Sequence, residues 1–424
     1  MTGLFGTSGI RRKISELPPE FAVNLGRALG AYAKSENVVV GRDTRKSGPL
    51  LESSFISGLL SAGKNVLELG VVPTPTVGVG TSEHGAGVMI TASHNPPEYN
   101  GFKFWDKNGA FSKNQEEELE SVFIGKKFAE GKPGEVRRGE YIREHIKLIL
   151  RRVGTAEDVK VMLDCSGGSG STVTPLLLEE MGCKVKVIND NRDGRFPHPL
   201  EPTKENLEDT CSIVKKEGVD IAFAHDGDAD RTCAIDGNGN LIEWDTFLTV
   251  LASQSKKVVT TVDASMRIEE FCDKVYRVPV GDVAVADGIR KYGAGFGGEP
   301  SGTYIFPDVH IFPDGIATVG KALKLAAEGV FYKLVEEIPT YPMERVKIPC
   351  RQADKQKIMG NLEKNLKGLD YSDIDGIRIQ EDDGWILIRP SGTEDYVRIT
   401  AEAKTQKKLD ELVKKGKQWI KESC

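Results

Sequence analysis

The run Asp226-Gly227-Asp228-Ala229-Asp230-Arg231 is the densest concentration of chemical potential in the chain. Three carboxylates at alternate positions repel one another and converge only around positive charge. Oxygen-only donors favour a hard divalent cation, Mg2+ or Ca2+, over zinc. An EF-hand loop needs glycine at its sixth and glutamate at its twelfth position; counted from Asp226, those places hold Arg231 and Gly237. Gly227 and Ala229 leave the backbone unhindered, and Arg231 stands where it can contact a bound phosphate.

Five further segments have chemical character. Thr91-Ala92-Ser93-His94-Asn95-Pro96 follows the apolar run Gly87–Ile90, so Ser93 at a strand exit is a candidate nucleophile or phosphate carrier. Downstream, Asn100-Gly101-Phe102-Lys103 brings a cation able to neutralise phosphate or move a proton. Gly297-Gly298-Glu299-Pro300-Ser301-Gly302 is a glycine-flanked turn with one acid and one hydroxyl, suited to sugar hydroxyls. Arg389-Pro390-Ser391-Gly392-Thr393-Glu394 combines arginine, hydroxyls and a free glycine backbone into an anion cradle, with Arg398 nearby. Phe5-Gly6-Thr7-Ser8-Gly9-Ile10-Arg11 is glycine-rich with a trailing arginine, again suited to phosphate. Gly58–Asn65 only imitates a Walker loop: it ends in Asn and lies between a helix and a strand. Gly293–Gly298 matches no complete dinucleotide fingerprint.

The elements that must carry these loops recur. Val38–Val40, a helix over Leu50–Ala62 and a strand at Asn65–Val72 form one strand–helix–strand unit. Val159–Leu163, a helix running to Met181 and Lys184–Ile188 form a second; Lys257–Val262, a helix and Val275–Pro279 form a weaker third. Asp220–Ala224 and Thr232–Ile235 read as strands flanking the acidic loop. After Pro339–Arg345 the pattern changes to strands at Val346–Pro349, Gly376–Gln380, Gly384–Ile388 and Tyr396–Ala401, with helices at Lys355–Leu366 and at the end of the chain. The reading is α/β: three related domains with mixed sheets over 1–148, 149–250 and 251–338, and a smaller α+β domain over 339–424.

The 424 residues are 39% apolar and 28% charged, with 57 basic and 63 acidic side chains, a net −6. That balance argues for a soluble globular protein and against a nucleic-acid footprint. No stretch approaches the ~20 apolar residues of a membrane span. The start lacks a basic region followed by an apolar one, so no secretory signal is expected. Seven scattered cysteines without a C-x-x-C favour reduced thiols in the cytoplasm.

Together, the Thr91–Pro96, Asp226–Arg231, Gly298–Gly302 and Arg389–Glu394 segments resemble the α-D-phosphohexomutase superfamily over essentially the whole chain. Phe5–Arg11, Gly41–Arg45 and Gly298–Gly302 resemble most its archaeal-type phosphoglucosamine mutase branch, whose relatives include phosphoglucomutase/phosphomannomutases. The resemblance implies four domains around one cleft, with a phosphoserine at Ser93. It implies Mg2+ held by Asp226, Asp228, Asp230 and a phosphate oxygen on Ser93. Glu299 and Ser301 are expected on sugar hydroxyls; Arg389, Ser391, Gly392 and Thr393 on the non-reacting phosphate; and Arg11, His94 and Lys103 as phosphate contacts and a proton-transfer group. The implied reaction moves a phosphoryl group between positions 1 and 6 of a hexose phosphate, through a 1,6-bisphosphate that also serves as activator. A monomer or homodimer is expected.

Two positions depart from the family pattern. Thr303 stands where many relatives have a histidine after the sugar turn, with His310 the nearest substitute, and Asp395 replaces a proline beside the phosphate cradle. Glucosamine phosphate is the first expectation and glucose or mannose phosphate the second; a phosphatase and a non-catalytic sugar-phosphate sensor are the alternatives outside mutase chemistry.

Overall fold

The computed structural model describes residues 3–6, 8–129, 131–366, 368–391 and 395–423. It divides into two compact units, Met1–Phe247 with Ser301–Lys333, and Leu248–Pro300 with Leu334–Cys424.

The first unit opens with a mixed sheet. Its strands are β1 (Ile10–Lys13), β2 (Asn37–Arg42), β3 (Asn65–Val71), β4 (Ala86–Ile90), β5 (Tyr99–Asp106), β6 (Gly109–Ala110) and β7 (Val136–Arg138), ordered β1-β5-β4-β2-β3-β7 with β6 beside β5. Strand alternation sorts its side chains onto two faces. Val38, Val40, Phe102 and Phe104 pack with Phe55 in one buried cluster. Val39, Met89 and Trp105 enter another. Lys103, between Phe102 and Phe104, therefore leaves the phenylalanine face. The antiparallel register Ile90↔Phe102 and Met89↔Lys103 sets the exit of β4, and hence Ser93, beside Lys103. The glycine-rich start is not a free tail: Ile10–Lys13 adds as an edge strand with Arg11 opposite Gly101.

A second sheet, ordered β11-β10-β8-β9, contains β8 (Lys160–Asp164), β9 (Lys184–Ile188), β10 (Ile221–His225) and β11 (Thr232–Asp236). The acidic run is the hairpin connection between β10 and β11, which pair antiparallel with His225 opposite Thr232. The helix expected before Met181 is broken into a 3-10 turn, Ser169–Thr172, and a short helix, Thr174–Glu180.

Residues 189–200 form a strap past the exit of β8, against the turn at Gly167. His198 fastens it: Nε2 lies 3.1 Å from Asp164 Oδ2 and Nδ1 2.9 Å from the Pro199 carbonyl. Both ring nitrogens face acceptors, an arrangement satisfied by the imidazolium. Burial pulls the His198 pKa down, but the hydrogen bond and charge of Asp164 outweigh it and hold it above the ordinary value.

In the second unit, β12 (Lys257–Thr261) pairs in parallel with β13 (Lys274–Val278) and β14 (Phe296–Glu299). The helix expected between β12 and β13 is a single turn, Ile268–Phe271. In the first unit again, β15 (Thr303–Ile305) follows the sugar turn. The last sheet, in the second unit, is antiparallel and ordered β16-β19-β18-β17, from β16 (Met343–Pro349), β17 (Ile377–Glu381), β18 (Gly384–Pro390) and β19 (Tyr396–Ala403). The helix Gln406–Ser423 packs Leu409, Leu412, Val413 and Ile420 against it. Buried Glu402 ties this sheet to the Ser265–Met266 turn, accepting from the Ser265 hydroxyl, Met266 N and Trp385 Nε1.

The raised His198 value fixes a sign. Its stabilisation is full below the unfolded pKa of about 6.5 and is lost as pH rises through the higher folded value. Urea unfolding of the wild type should therefore show stability falling over that window, and His198→Gln should flatten the slope; an unchanged slope in the variant contradicts the pairing.

Candidate functional site

Asp226, Asp228 and Asp230 converge, with one carboxylate oxygen from each within 4.8 Å of the others. All three are buried. The turn achieves this by placing Ala229 at φ 54, a left-handed conformation uncommon outside glycine. Gly227 is needed for close approach: a Cβ there would stand 2.7 Å from the Ser93 carbonyl and 3.0 Å from Leu200 Cδ1. Thr74 holds Asp228 from the side, its N–H donating to the Asp228 carbonyl at 2.9 Å and its hydroxyl to Oδ2 at 2.5 Å. On the far side, Gly315 N donates to the Ala229 carbonyl at 3.1 Å. Nothing in the sequence marked Thr74; its signal is only that a Pro-Thr-Pro begins a helix.

Ser93 reaches this cluster. Its hydroxyl donates to Asp226 Oδ2 at 2.7 Å and lies 3.3 Å from His94 Nδ1. Lys103 Nζ donates to Asp228 Oδ2 at 2.7 Å and to Asp230 Oδ2 at 2.5 Å. Arg11 is held by Asn95, Nη1 to Oδ1 at 3.4 Å. The expected residues Ser93, His94, Lys103, Arg11 and Arg231 thus meet the three aspartates in one electrostatic centre.

The charges follow from this crowding. Burial, then repulsion from Asp228 and Asp230, pushes Asp226 well above the carboxylate range. Asp228 goes the other way: burial opposes its charge, but Lys103 and hydrogen bonds from Lys103 and Thr74 more than offset it. Burial likewise disfavours the Lys103 ammonium, yet Asp228 and Asp230 hold its pKa up, so Lys103 is the charged counterpart of the acids. His94 is pushed down to about 3 by burial and then by Arg231 and Arg11, so it is neutral at neutral pH.

The donor set fits a cation. Asp228 Oδ1 and Asp230 Oδ1 are buried and accept no hydrogen bond, a costly state unless a ligand meets them. With oxygen donors alone, a hard ion such as Mg2+ suits them. A second grouping, His145, His310 and Asp314, does not read the same way. Asp314 Oδ1 accepts from Ile316 N and Ala317 N as a helix cap, and Oδ2 accepts from His145 Nε2 and His310 Nε2. Both ring nitrogens of His145 and His310 are engaged, with Thr76 and Phe312 N as the further partners, so the grouping leaves no orphaned donor set for a cation. Thr303 is buried and bridges Arg231 in an antiparallel pairing.

The second unit carries the remaining candidates. Glu299 is buried and its Oε1 accepts from Gly281 N at 2.6 Å. The preceding residue, Val280, donates its N–H to Asp375 Oδ2 at 3.0 Å, and Asp375 Oδ1 accepts from Arg389 Nε at 2.9 Å. One peptide segment therefore links the sugar-turn acid to the cradle arginine. Arg389 faces Arg398 across the β18–β19 pair, and Arg398 faces Lys347 across β19–β16. Like charges opposite one another in a sheet are unfavourable without an anion. Lys347 is a cation that sequence reading missed; the alternation of β16 with Arg398 is its only signal. Arg398 Nη2 donates to the Tyr396 hydroxyl at 2.9 Å. The Asp395 carboxylate accepts from Gln352 N at 3.0 Å, and its backbone carbonyl accepts from Cys350 N. Ser391 N donates to the Tyr396 carbonyl. Gly392 and Thr393 lie outside the described residues, as does Thr7. In the first unit, Ser301 Oγ lies 3.3 Å from Thr303 Oγ1.

Comparison with known proteins supplies the class. Phosphoglucomutase/phosphomannomutase models match in chain order: alpha/beta/alpha domain I over 2–130, domain II over 140–239, domain III over 244–341 and the C-terminal domain over 346–415. The chain belongs to the phosphoglucomutase/phosphomannomutase family. It is 42% identical to a phosphoglucosamine mutase of Methanocaldococcus jannaschii, across 100% of this chain and 99% of that one. It is also 42% identical to a probable phosphoglucosamine mutase of Thermococcus kodakarensis, across 99% and 98%. A solved phosphoglucomutase/phosphomannomutase family protein from Burkholderia thailandensis superposes with TM-score 0.90 at 26% identity, covering 99% of this chain and 97% of that one. The fold is shared, at TM-score 0.60 and 16% identity, with Aspergillus fumigatus N-acetylphosphoglucosamine mutase solved with GlcNAc-6P and magnesium, across 99% and 96%. Among the described residues no helix is long and apolar enough to cross a membrane.

The orphaned oxygens generate a binding prediction. Mg2+ at about 100 times its Kd should stabilise the wild type by about 2.7 kcal/mol, reversibly by chelation. Asp230→Asn should lose most of that gain in thermal melts, and equal stabilisation of the variant contradicts the assignment.

Proposed function

We propose that this protein is a phosphohexomutase that interconverts glucosamine 6-phosphate and glucosamine 1-phosphate through a phosphoserine at Ser93. The observation that carries the reading is the Ser93 hydroxyl seated 2.7 Å from Asp226 within the three-carboxylate cluster, beside Lys103. The relatives' names favour glucosamine over glucose or mannose. The segments 1–148, 149–250, 251–338 and 339–424 are proposed as its domains, each contributing one motif. A cytoplasmic setting with reduced thiols belongs to the same proposal.

In this mechanism the P–O bond to Ser93 Oγ breaks as a bond forms to the free sugar hydroxyl, whose proton is lost while the released Ser93 Oγ takes one up, giving a hexose 1,6-bisphosphate. That intermediate turns over and returns its other phosphate to Ser93, so no water is consumed. Phosphoryl transfer is mainly positioning and charge stabilisation. Asp226, Asp228 and Asp230, with a phosphate oxygen on Ser93, would hold Mg2+, which when bound offsets charge on the transferring group. Lys103, Arg11 and Arg231 supply fixed positive charge there, and neutral His94 is placed to hydrogen-bond the reacting oxygen. Glu299 and Ser301 take sugar hydroxyls. Arg389, Ser391, Gly392, Thr393 and Arg398, with Lys347, take the non-reacting phosphate.

Assays of 1↔6 isomerisation with glucosamine, glucose and mannose phosphates test this, with Mg2+ and a trace of hexose 1,6-bisphosphate present. Glucosamine phosphate should lead in kcat/KM, Ser93→Ala should be inactive, and Arg389→Ala should raise KM about 10- to 100-fold, the loss expected for a charged hydrogen bond. Release of inorganic phosphate without isomerisation would instead make the protein a phosphatase.

A further inference from the structure

We propose that Arg45 is a positioning residue for Ser93, acting through the backbone of the loop that carries it; this rests on Ser93 being the phosphoryl carrier. Arg45 is fully buried. A guanidinium has five N–H donors in a planar fork, and here each has an acceptor. Nε donates to Asp43 Oδ2 at 3.0 Å. Nη1 donates to the carbonyls of Pro96 at 2.7 Å and Tyr99 at 2.9 Å. Nη2 donates to the carbonyls of Ser93 at 2.8 Å and Asn95 at 2.6 Å. The face of the fork is covered by Phe196 of the strap, 5.4 Å from the ring centre.

The other end of Ser93 is held by the same ion pair. Ser93 N donates to the Thr91 hydroxyl at 2.8 Å, and that hydroxyl donates to Asp43 Oδ2 at 2.6 Å. Asp43, Thr91, Ser93 and Arg45 thus close a ring of hydrogen bonds around the serine's two peptide groups. The ring has a conformation to enforce, because Ser93 sits at φ 50, a region that costs a non-glycine residue energy and persists only when its surroundings over-determine it. It also gives the buried Ser93 and Asn95 carbonyls of the loop a donor. Lysine cannot replace the fork: three donors on a point charge do not match four carbonyls and a carboxylate in one plane.

The role predicts a split in kinetics. Arg45→Lys should lower kcat by about 100-fold, the cost of misplacing a reacting atom by roughly an ångström. KM for the sugar phosphate and the Kd for Mg2+ should be unchanged, since neither is bound by Arg45. Thr91→Val, which keeps the shape and removes the hydroxyl link, should lower kcat less and leave KM alone. Phosphorylation of Ser93 from glucose 1,6-bisphosphate, followed by intact mass, should slow in parallel in both variants. Wild-type kcat in a folded Arg45→Lys, or loss of kcat, KM and Mg2+ binding together, overturns the proposal. A wild type that neither takes up phosphate nor isomerises sugar phosphates overturns the mutase reading and this proposal with it.

Discussion

Three buried carboxylates within ligand distance of one another are the constraint on which the first unit is built. Such a set is tolerable only beside compensating cations, and the fold delivers them from separate elements. Lys103 comes from the face of β5 opposite its phenylalanines, and Arg11 from the edge strand β1. Thr74 and the first turn of the helix Gly315–Ala327 hold the acidic loop itself. The phenylalanine cluster and strand register of the first sheet are therefore part of the chemistry: a one-residue slip of β5 would turn Lys103 to the other face.

The serine loop answers a different demand. It must present a hydroxyl to the acids while its own backbone is buried and bent into the left-handed region. Arg45 and Asp43 meet that demand from the end of β2, and the strap over residues 189–200 covers both this pair and Gly227. In the second unit the problem is reversed. Arg389, Arg398 and Lys347 form a cationic row, and Asp375 engages Arg389. One region concentrates acids suited to a cation and the other cations suited to a phosphate, the two needs of phosphoryl transfer.

The motifs were legible because each packs several reactive types into a few residues; the three aspartates stood out by spacing, while the roles of Ser93, Glu299 and Arg389 came from the resemblance that all the motifs make together. The strand–helix–strand units were legible from hydrophobic periodicity, as at β2, the helix Gly48–Ser61 and β3. Long-range pairing was not. The start of the chain carries no pattern that says edge strand, because β1 is defined by β5, nearly ninety residues on. Thr74 and Lys347 are ordinary residues until the fold sets them against Asp228 and Arg398. The helix expected between β12 and β13 is present but is only one turn long, Ile268–Phe271, following a turn bonded to Glu402. The sequence could not show that His310 is bonded to the helix-capping Asp314, four residues on.

The most direct test of the account follows the phosphoryl group itself through one turnover. Enzyme carrying a radiolabelled phosphate on Ser93 would be mixed with unlabelled glucosamine 6-phosphate and quenched at successive times. Label should pass from protein to sugar bisphosphate and then into glucosamine phosphates, with little inorganic phosphate. Label that stays on the protein while sugar phosphate isomerises, or that leaves as inorganic phosphate, would contradict it.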